Sequence, residues 1–101
     1  MKYNVFLSKV ADADLDDYID YILYTCNAQI TASKHYAGLL EAIAKLEKYA
    51  DIYPIQTRKL FCKYGINVRR LNYKKMTIIY TIHGQIVYVH RIIAASMITG
   101  L

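Results

Sequence analysis

Basic side chains dominate the second half of this sequence, and they are its main candidates for binding or catalysis. Residues 54–101 hold eight lysines and arginines and no acidic residue, a formal charge of +8. Residues 1–53 hold all eight acidic residues and five lysines, which gives −3 and a net charge of +5 for the whole chain. This asymmetry predicts a polyanionic or acidic partner for the second half. It also excludes paired carboxylates for acid/base catalysis beyond Asp51.

Arg91 is the first candidate site residue, because an arginine at the end of an apolar strand is costly unless it is paired or opens onto a groove. His90 is either a general acid or base or a hydrogen-bonded edge histidine, and strand alternation predicts that it faces away from Arg91. Arg69 and Arg70 also alternate, so we expect one to pair with an acid of the first predicted helix (Asp16, Asp17 or Asp20). The full set of candidates for binding a target or nucleic acid is Lys59, Lys63, Arg69, Arg70, Lys74, Lys75 and Arg91.

The remaining titratable residues give weaker signals. Cys26 and Cys62 lie 36 positions apart without a CxxC pattern, which predicts two buried apolar side chains. His35 is expected to be a solvated helix residue and His83 a turn residue. We predict no metal and no cofactor. The sequence shows no signal-peptide pattern and no apolar run of about 18 residues, so a cytoplasmic location and no membrane partner are expected.

The hydrophobic periodicity predicts a strand at residues 3–7 and then two helices. A stripe from Ala11 to Cys26 marks the first helix, which begins after Ser8 and ends at Asn27. The second helix begins near Thr31 and ends before Pro54. Its apolar seam consists of Ala32, Tyr36, Leu39, Ile43, Leu46 and Ala50.

After Pro54 the period changes to two and predicts strands at residues 66–73, 76–82 and 86–93, with a turn at His83-Gly84. The last strand is apolar on both faces and is expected to be central, with the N-terminal strand joining the same sheet. The fold class is therefore α+β with the order β-α-α-β-β-β: a helical hairpin on a small, mostly antiparallel sheet. We expect one domain over residues 1–101.

Two blocks of this sequence resemble the RelE/ParE superfamily of type II toxin–antitoxin toxins. The first is Val5-Phe6-Leu7-Ser8 followed by Ala11, Asp14-Leu15 and Tyr21-Ile22. The second is Val68-Arg69-Arg70-Leu71, then Ile78-Ile79-Tyr80-Thr81-Ile82, then Val89-His90-Arg91-Ile92. The resemblance covers nearly the whole chain. It implies a bacterial toxin that a cognate antitoxin holds inactive, with either ribosome-bound messenger RNA (RelE-like) or DNA gyrase (ParE-like) as its target.

The RelE-like positions are only partly filled. RelE-like toxins carry basic residues at particular positions of their sheet strands, and Arg70 is basic at the position in the first strand after the helices. The corresponding position of the next strand is Thr77, which is neutral, and no arginine follows the last strand. Losing preorganised charge of this kind typically costs about 3 kcal/mol of transition-state stabilisation for each group. We therefore favour a ParE-like gyrase inhibitor. The alternatives are a RelE-like endoribonuclease with a rearranged site (candidates Arg70, Arg91, His90 and Lys74) or a non-toxic member that only binds its partner.

The last ten residues, 92–101, carry no charge. An uncharged apolar terminus should either pack on its own core or be covered by a partner. The resemblance makes the antitoxin the expected cover. The candidate antitoxin-binding residues are Ile93, Met97, Ile98 and Leu101.

Overall fold

The computed structural model describes residues 2–99 of the chain. Over these residues the chain forms four strands, three α-helices and two short helical turns of other types. In chain order they are β1 (Asn4–Leu7), α1 (Lys9–Asp20), a π-helical turn (Tyr21–Thr25), α2 (Gln29–Tyr49), a 3₁₀ helix (Lys59–Tyr64), β2 (Arg69–Tyr73), β3 (Met76–His83), β4 (Ile86–Ala94) and α3 (Ser96–Thr99). The predicted α+β class and element order are confirmed, with the 3₁₀ helix and α3 as additions.

The four strands form one sheet in the order β1-β4-β3-β2, in which β1 is parallel to β4 and the other two pairs are antiparallel. Both predictions about strand position are therefore confirmed: β4 is central, and β1 joins the sheet. The β3–β4 turn consists of Gly84 and Gln85, one residue later than predicted. Gly84 adopts a left-handed φ of 62°, whereas His83 stays paired with Ile86 at the end of β3.

The two long helices pack against one face of the sheet and bury the main core between them. The predicted seam of α2 is buried except for Tyr36, whose side chain is 43% exposed. Asn27 ends the first helical segment with a left-handed φ of 50°, as predicted. The helices contribute Ala11, Leu15, Leu39, Ile43 and Leu46 to this core, and the sheet contributes Ile78, Tyr80, Val87, Val89 and Ile92.

A second, smaller cluster covers part of the opposite face of the sheet, which we call the open face. Phe61 of the 3₁₀ helix and Ile98 of α3 pack there against Val68 and Ile79. Cys62 follows Phe61 and is exposed, and so is Cys26 at the end of the helical hairpin. The prediction of two buried cysteines is therefore wrong; in the 3₁₀ helix Phe61, and not Cys62, takes the inward position.

The prediction of a solvated His35 is also wrong. His35 is half-buried, and its Nδ1 lies 2.7 Å from the hydroxyl of Tyr18 across the two helices. Tyr73 of β2 meets the His35 ring edge-on, and its hydroxyl lies directly against Gly38 of α2, where a Cβ atom would collide with it. Gly38 thus allows β2 to approach α2 closely.

Candidate functional site

Ser8 joins the start of α1 to the central strand β4. Its Oγ accepts a hydrogen bond from the N–H of Ala11 (2.9 Å) and so caps α1. The same hydroxyl donates to the carbonyl oxygen of His90 (2.9 Å), and the N–H of Ser8 donates to the carbonyl oxygen of Val89 (2.9 Å). One serine therefore fixes the first turn of α1 against two consecutive residues of β4.

Asp14 makes the second connection between α1 and β4. Its carboxylate accepts from Arg91 Nε (2.7 Å) and Nη2 (3.0 Å), a bidentate pair, and from the N–H of Ile92 (3.0 Å). The side chains of Arg91 and Asp14 are 32% and 13% exposed. The hydrogen bonds to Asp14 raise the pKa of Arg91 above its usual value. The leading candidate site residue is thus paired, which is one of the two environments expected for it.

A β-bulge in β4 lies between these two connections. Arg91 pairs with Ile79 and Val89 pairs with Tyr80, so His90 is an extra residue opposite β3. The bulge interrupts the alternation of side chains, and His90 and Arg91 therefore line the same groove. The expectation that they face opposite sides of the sheet is wrong for this reason. This groove, about 390 Å³ in volume, is called the bulge groove below; it is lined by Ser8, Val10, Lys63, Tyr64, Tyr88, His90 and Arg91.

The imidazole of His90 is held by neighbours on the open face. Its Nε2 lies 2.8 Å from Thr81 Oγ1, and Nε2 of His83 lies 2.8 Å from the same oxygen. The rings of Tyr64 and Tyr88 stand 5.6 and 4.8 Å from the His90 ring, centroid to centroid. Burial, and then the nearby His83, lower the pKa of His90 below 6.5. His90 is therefore neutral at pH 7, and His83 is a strand residue with a defined contact rather than a free turn residue.

The structure divides the basic candidates among different surfaces. Lys63 lines the bulge groove, with Nζ 5.2 Å from the centroid of the Tyr64 ring. Arg70 lies on the open face, with its guanidinium carbon 6.0 Å from the centroid of the Phe61 ring. Lys59 is exposed on the 3₁₀ helix. Lys74 and Lys75 form the β2–β3 turn, as predicted, and Lys75 lines a separate cavity next to the helices.

Arg69 lies on the helix side of the sheet and binds the segment that follows α2. Its Nη1 donates to the carbonyl oxygens of Asp51 (3.0 Å) and Tyr53 (2.6 Å). The expected pairing with carboxylates of α1 is therefore wrong. Tyr80 has a related role that the sequence did not indicate, because its buried hydroxyl donates to the carbonyl oxygen of Ala50 (2.6 Å). Burial raises the pKa of this phenol. Tyr80 thus satisfies the carbonyl of the residue that caps the C-terminal end of α2, and Arg69 binds two carbonyls of the segment that follows it.

The bulge groove offers only part of what RNA cleavage requires. Metal-free cleavage needs a base for the 2′-hydroxyl, free cations for the phosphate and an acid for the leaving oxygen. His90 supplies a neutral imidazole and Lys63 a free ammonium, but Arg91 is held by Asp14. Neither Arg70 nor Lys74 lines this groove. Within residues 2–99, no three His, Cys, Asp or Glu side chains are placed to hold a metal ion, and no helix is long and apolar enough to cross a membrane.

The C-terminal candidates for antitoxin binding differ in their exposure. Ile98 is 1% exposed in the second core cluster, and Ile93 packs against that cluster. Met97 is 61% exposed. Leu101 lies outside the described residues. Within residues 92–98, this end of the chain therefore packs mainly on its own core, which is one of the two outcomes expected for it, and Met97 is exposed.

Comparisons with known proteins agree with this architecture. The model of the ParE toxin family of type II toxin–antitoxin systems (parDE) matches residues 5–99. Among solved structures, the chromosomal ParDE toxin–antitoxin system of P. aeruginosa has a similar chain, with 19% identity, a TM-score of 0.72 and coverage of 92% of this chain and 96% of that one. A search of curated protein sequences found no significant match. Because the family model spans nearly the whole chain, this protein belongs to the ParE toxins of type II toxin–antitoxin systems.

Proposed function

We propose that this toxin acts by binding and inhibiting DNA gyrase, and that an antitoxin encoded beside it neutralises it by direct binding. The family match over residues 5–99 carries the proposal. The bulge groove supports it, because the arginine that a ribonuclease would need for phosphate stabilisation is engaged by Asp14 in two hydrogen bonds. The exposed lysines and Arg70 give the open face a positive charge without assembling a catalytic set.

The test of this function compares two reactions of the purified toxin. We expect inhibition of DNA supercoiling by gyrase, and release of that inhibition when the antitoxin is added. We expect no cleavage of messenger RNA on translating ribosomes. Ribosome-dependent cleavage that is lost in Arg70→Ala or Arg91→Ala would overturn the gyrase proposal.

A RelE-like endoribonuclease is the second candidate function, and one observation favours it. His90 and Lys63, an imidazole and an ammonium group, line the same groove as Arg91. If this groove cleaves RNA, His90→Gln should slow cleavage by a factor of about 100 or more, as expected for the loss of a general acid or base. Inactivity in both assays, with intact binding of the antitoxin, would instead identify a non-toxic member of the family.

A further inference from the structure

A cavity lies where the end of the helical hairpin meets the β2–β3 turn, and it is called the hairpin cavity below. Its volume is about 490 Å³, within the range of about 300–1,000 Å³ that is typical of small-molecule sites. Ile22 and Ala28 of the hairpin and Met76 and Ala94 of the sheet supply apolar parts of its wall. Among the described residues, none lines both this cavity and the bulge groove. The hairpin cavity is therefore a separate concave site.

The π-helical turn shapes the hairpin side of this cavity. The N–H of Cys26 donates to the carbonyl oxygen of Tyr21 (3.2 Å), five positions back, and the N–H of Ala28 donates to that of Ile22 (3.1 Å). The turn therefore holds more residues than a turn of α-helix, and Tyr21 and Cys26 both line the cavity. Insertions of this kind are frequent at functional sites. The backbone thus departs from a regular helix beside the cavity.

The sheet side of the cavity is held by main-chain contacts. Met76, the first residue of β3, pairs with Ala94 at the end of β4. The N–H of Ala95 donates to the carbonyl oxygen of Lys75 (2.8 Å). Met76 is 5% exposed and belongs to the main core as well as to the cavity wall. The backbone of Lys75 is therefore fixed by the sheet, although this residue lies in a turn.

Tyr18 and His35 form a polar part of the cavity wall. The hydroxyl of Tyr18 lies 2.7 Å from His35 Nδ1, and the centroids of the two rings are 5.8 Å apart. Burial raises the pKa of Tyr18 above its usual value, so the phenol keeps its proton at pH 7. A phenol that donates to Nδ1 leaves the proton of a neutral imidazole on Nε2, where it is a hydrogen-bond donor. The wall thus combines flat aromatic rings with a donor.

The charge of the cavity wall comes from one lysine. Lys75 is exposed and lines the cavity, and none of the described Asp or Glu side chains does so. An ammonium group without a nearby carboxylate favours an anionic group on a ligand. The aromatic and aliphatic side chains favour a flat apolar body for the rest of that ligand.

We propose that the hairpin cavity binds a small aromatic carboxylate, with its ring among the apolar side chains and its carboxylate facing Lys75. The imidazole of His35 provides a hydrogen-bond donor for the same ligand. An apolar side chain of a protein partner would fill the cavity but leave Lys75 and His35 without a counterpart, which favours the carboxylate. Binding here requires neither gyrase nor antitoxin, so it is tested on the toxin alone.

Protection of a cysteine tests whether the cavity is occupied in the intact toxin. Cys26 lines the cavity and Cys62 does not, and both thiols are exposed. Their alkylation by N-ethylmaleimide is followed by mass spectrometry at increasing concentrations of indole-3-acetate, the probe ligand. We expect alkylation of Cys26 to slow at least about threefold at saturation, because the bound ligand covers the thiol, and that of Cys62 to stay unchanged. The half-maximal effect should fall at about 1 mM or below, as expected for a ligand of about a dozen non-hydrogen atoms. No protection of Cys26, or equal protection of both cysteines, would overturn the proposal.

Matched probes and variants test the class of ligand. Indole-3-acetamide replaces the carboxylate by a neutral amide, and acetate lacks the ring. Lys75→Met removes the cation of the cavity, whereas Lys74→Met makes the same change on the neighbouring turn residue, which does not line it. We expect wild type to bind indole-3-acetate about threefold to fivefold more tightly than the amide, and only Lys75→Met to lose this preference, as expected for one solvent-exposed ion pair. Equal binding of the two indoles by wild type, an equal loss of preference in both variants, or protection of Cys26 by acetate alone would refute an aromatic carboxylate site.

Discussion

Substitution of Asp14 is the most direct test of the contacts that hold α1 against the sheet. Its carboxylate accepts three hydrogen bonds from β4, two from the Arg91 guanidinium and one from the N–H of Ile92. The substitution Asp14→Ala removes all three at once. It leaves the charge of Arg91 without its partner and the N–H of Ile92, a residue that is 1% exposed, without an acceptor.

The expected cost follows from the exposure of these groups. An orphaned buried N–H costs about 1–2 kcal/mol. Arg91 is about one-third exposed, so water replaces much of the lost ion pair, and that contribution is reduced to about 1 kcal/mol. Alanine has a higher helix propensity than aspartate, which offsets about 0.5 kcal/mol of this destabilisation. We therefore expect Asp14→Ala to lower the free energy of unfolding by about 2 kcal/mol.

Urea unfolding of four proteins measures this interaction: wild type, Asp14→Ala, Arg91→Met and the double variant. We expect a coupling energy between the two sites of about 1 kcal/mol. Asp16→Ala is the matched control, because Asp16 is an exposed residue of the same helix, and it should change stability by less than about 0.5 kcal/mol. If Asp14→Ala costs no more than Asp16→Ala, the three hydrogen bonds of Asp14 do not contribute to stability and the reasoning fails. A coupling energy of zero would refute the contribution assigned to the ion pair with Arg91.

Three further substitutions test other contacts of the fold. The pKa of His90 in the folded protein is lowered below the value of about 6.5 in the unfolded chain. As the pH falls below about 6.5, the unfolded state therefore binds more protons than the folded state, and stability decreases. We expect His90→Gln to flatten this pH dependence of urea unfolding. Gly38→Ala should destabilise the protein in thermal melts, because the new methyl group collides with Tyr73, but should stabilise it by up to about 1 kcal/mol in a Tyr73→Ala background. Tyr80→Phe should cost about 1–1.5 kcal/mol in urea unfolding, because the buried carbonyl oxygen of Ala50 loses its donor; an unchanged midpoint would show that water replaces the hydroxyl.

The order of the elements could be predicted because each element carries its own local pattern. The apolar seam of α2 and the two-faced apolar run around Val87 and Val89 reflect burial directly, so the helical hairpin and the central strand follow from them. Among the residues of the predicted seam, only Tyr36 is not buried; it is 43% exposed. A tyrosine at a seam position can remain at the edge of the core with its hydroxyl in water.

The shared orientation of His90 and Arg91 could not be predicted, because a β-bulge is a property of two strands and not of one. Strict alternation along β4 placed these residues on opposite faces. The extra residue is accommodated by Ser8 and Asp14, which lie more than 70 positions away in the sequence and bind the backbone on either side of the bulge. The local sequence pattern of β4 contains no information about such long-range contacts, which are seen only in the three-dimensional structure.

The partners of Arg69 were missed for a different reason. A sequence shows carboxylates as the natural partners of an arginine, and α1 offers several of them. The acceptors of Arg69 are instead the backbone carbonyls of Asp51 and Tyr53 in the segment after α2, and a sequence pattern does not show which backbone carbonyls will lie within reach of a guanidinium. For an arginine that follows a long helix in the sequence, both carboxylates and backbone carbonyls should therefore be considered as partners.

Several of the residues that carry the family resemblance meet at one point of the structure, where α1 contacts β4. Ser8 caps α1 and binds the bulge, Ala11 is fully buried below it, and Asp14 binds Arg91 and the N–H of Ile92. All of these contacts hold α1 on β4. These residues thus determine how the helix is held on the sheet, which is a role in the fold and not in the choice of a target. We therefore expect the choice of target to depend on side chains outside this set, such as those that surround the bulge groove.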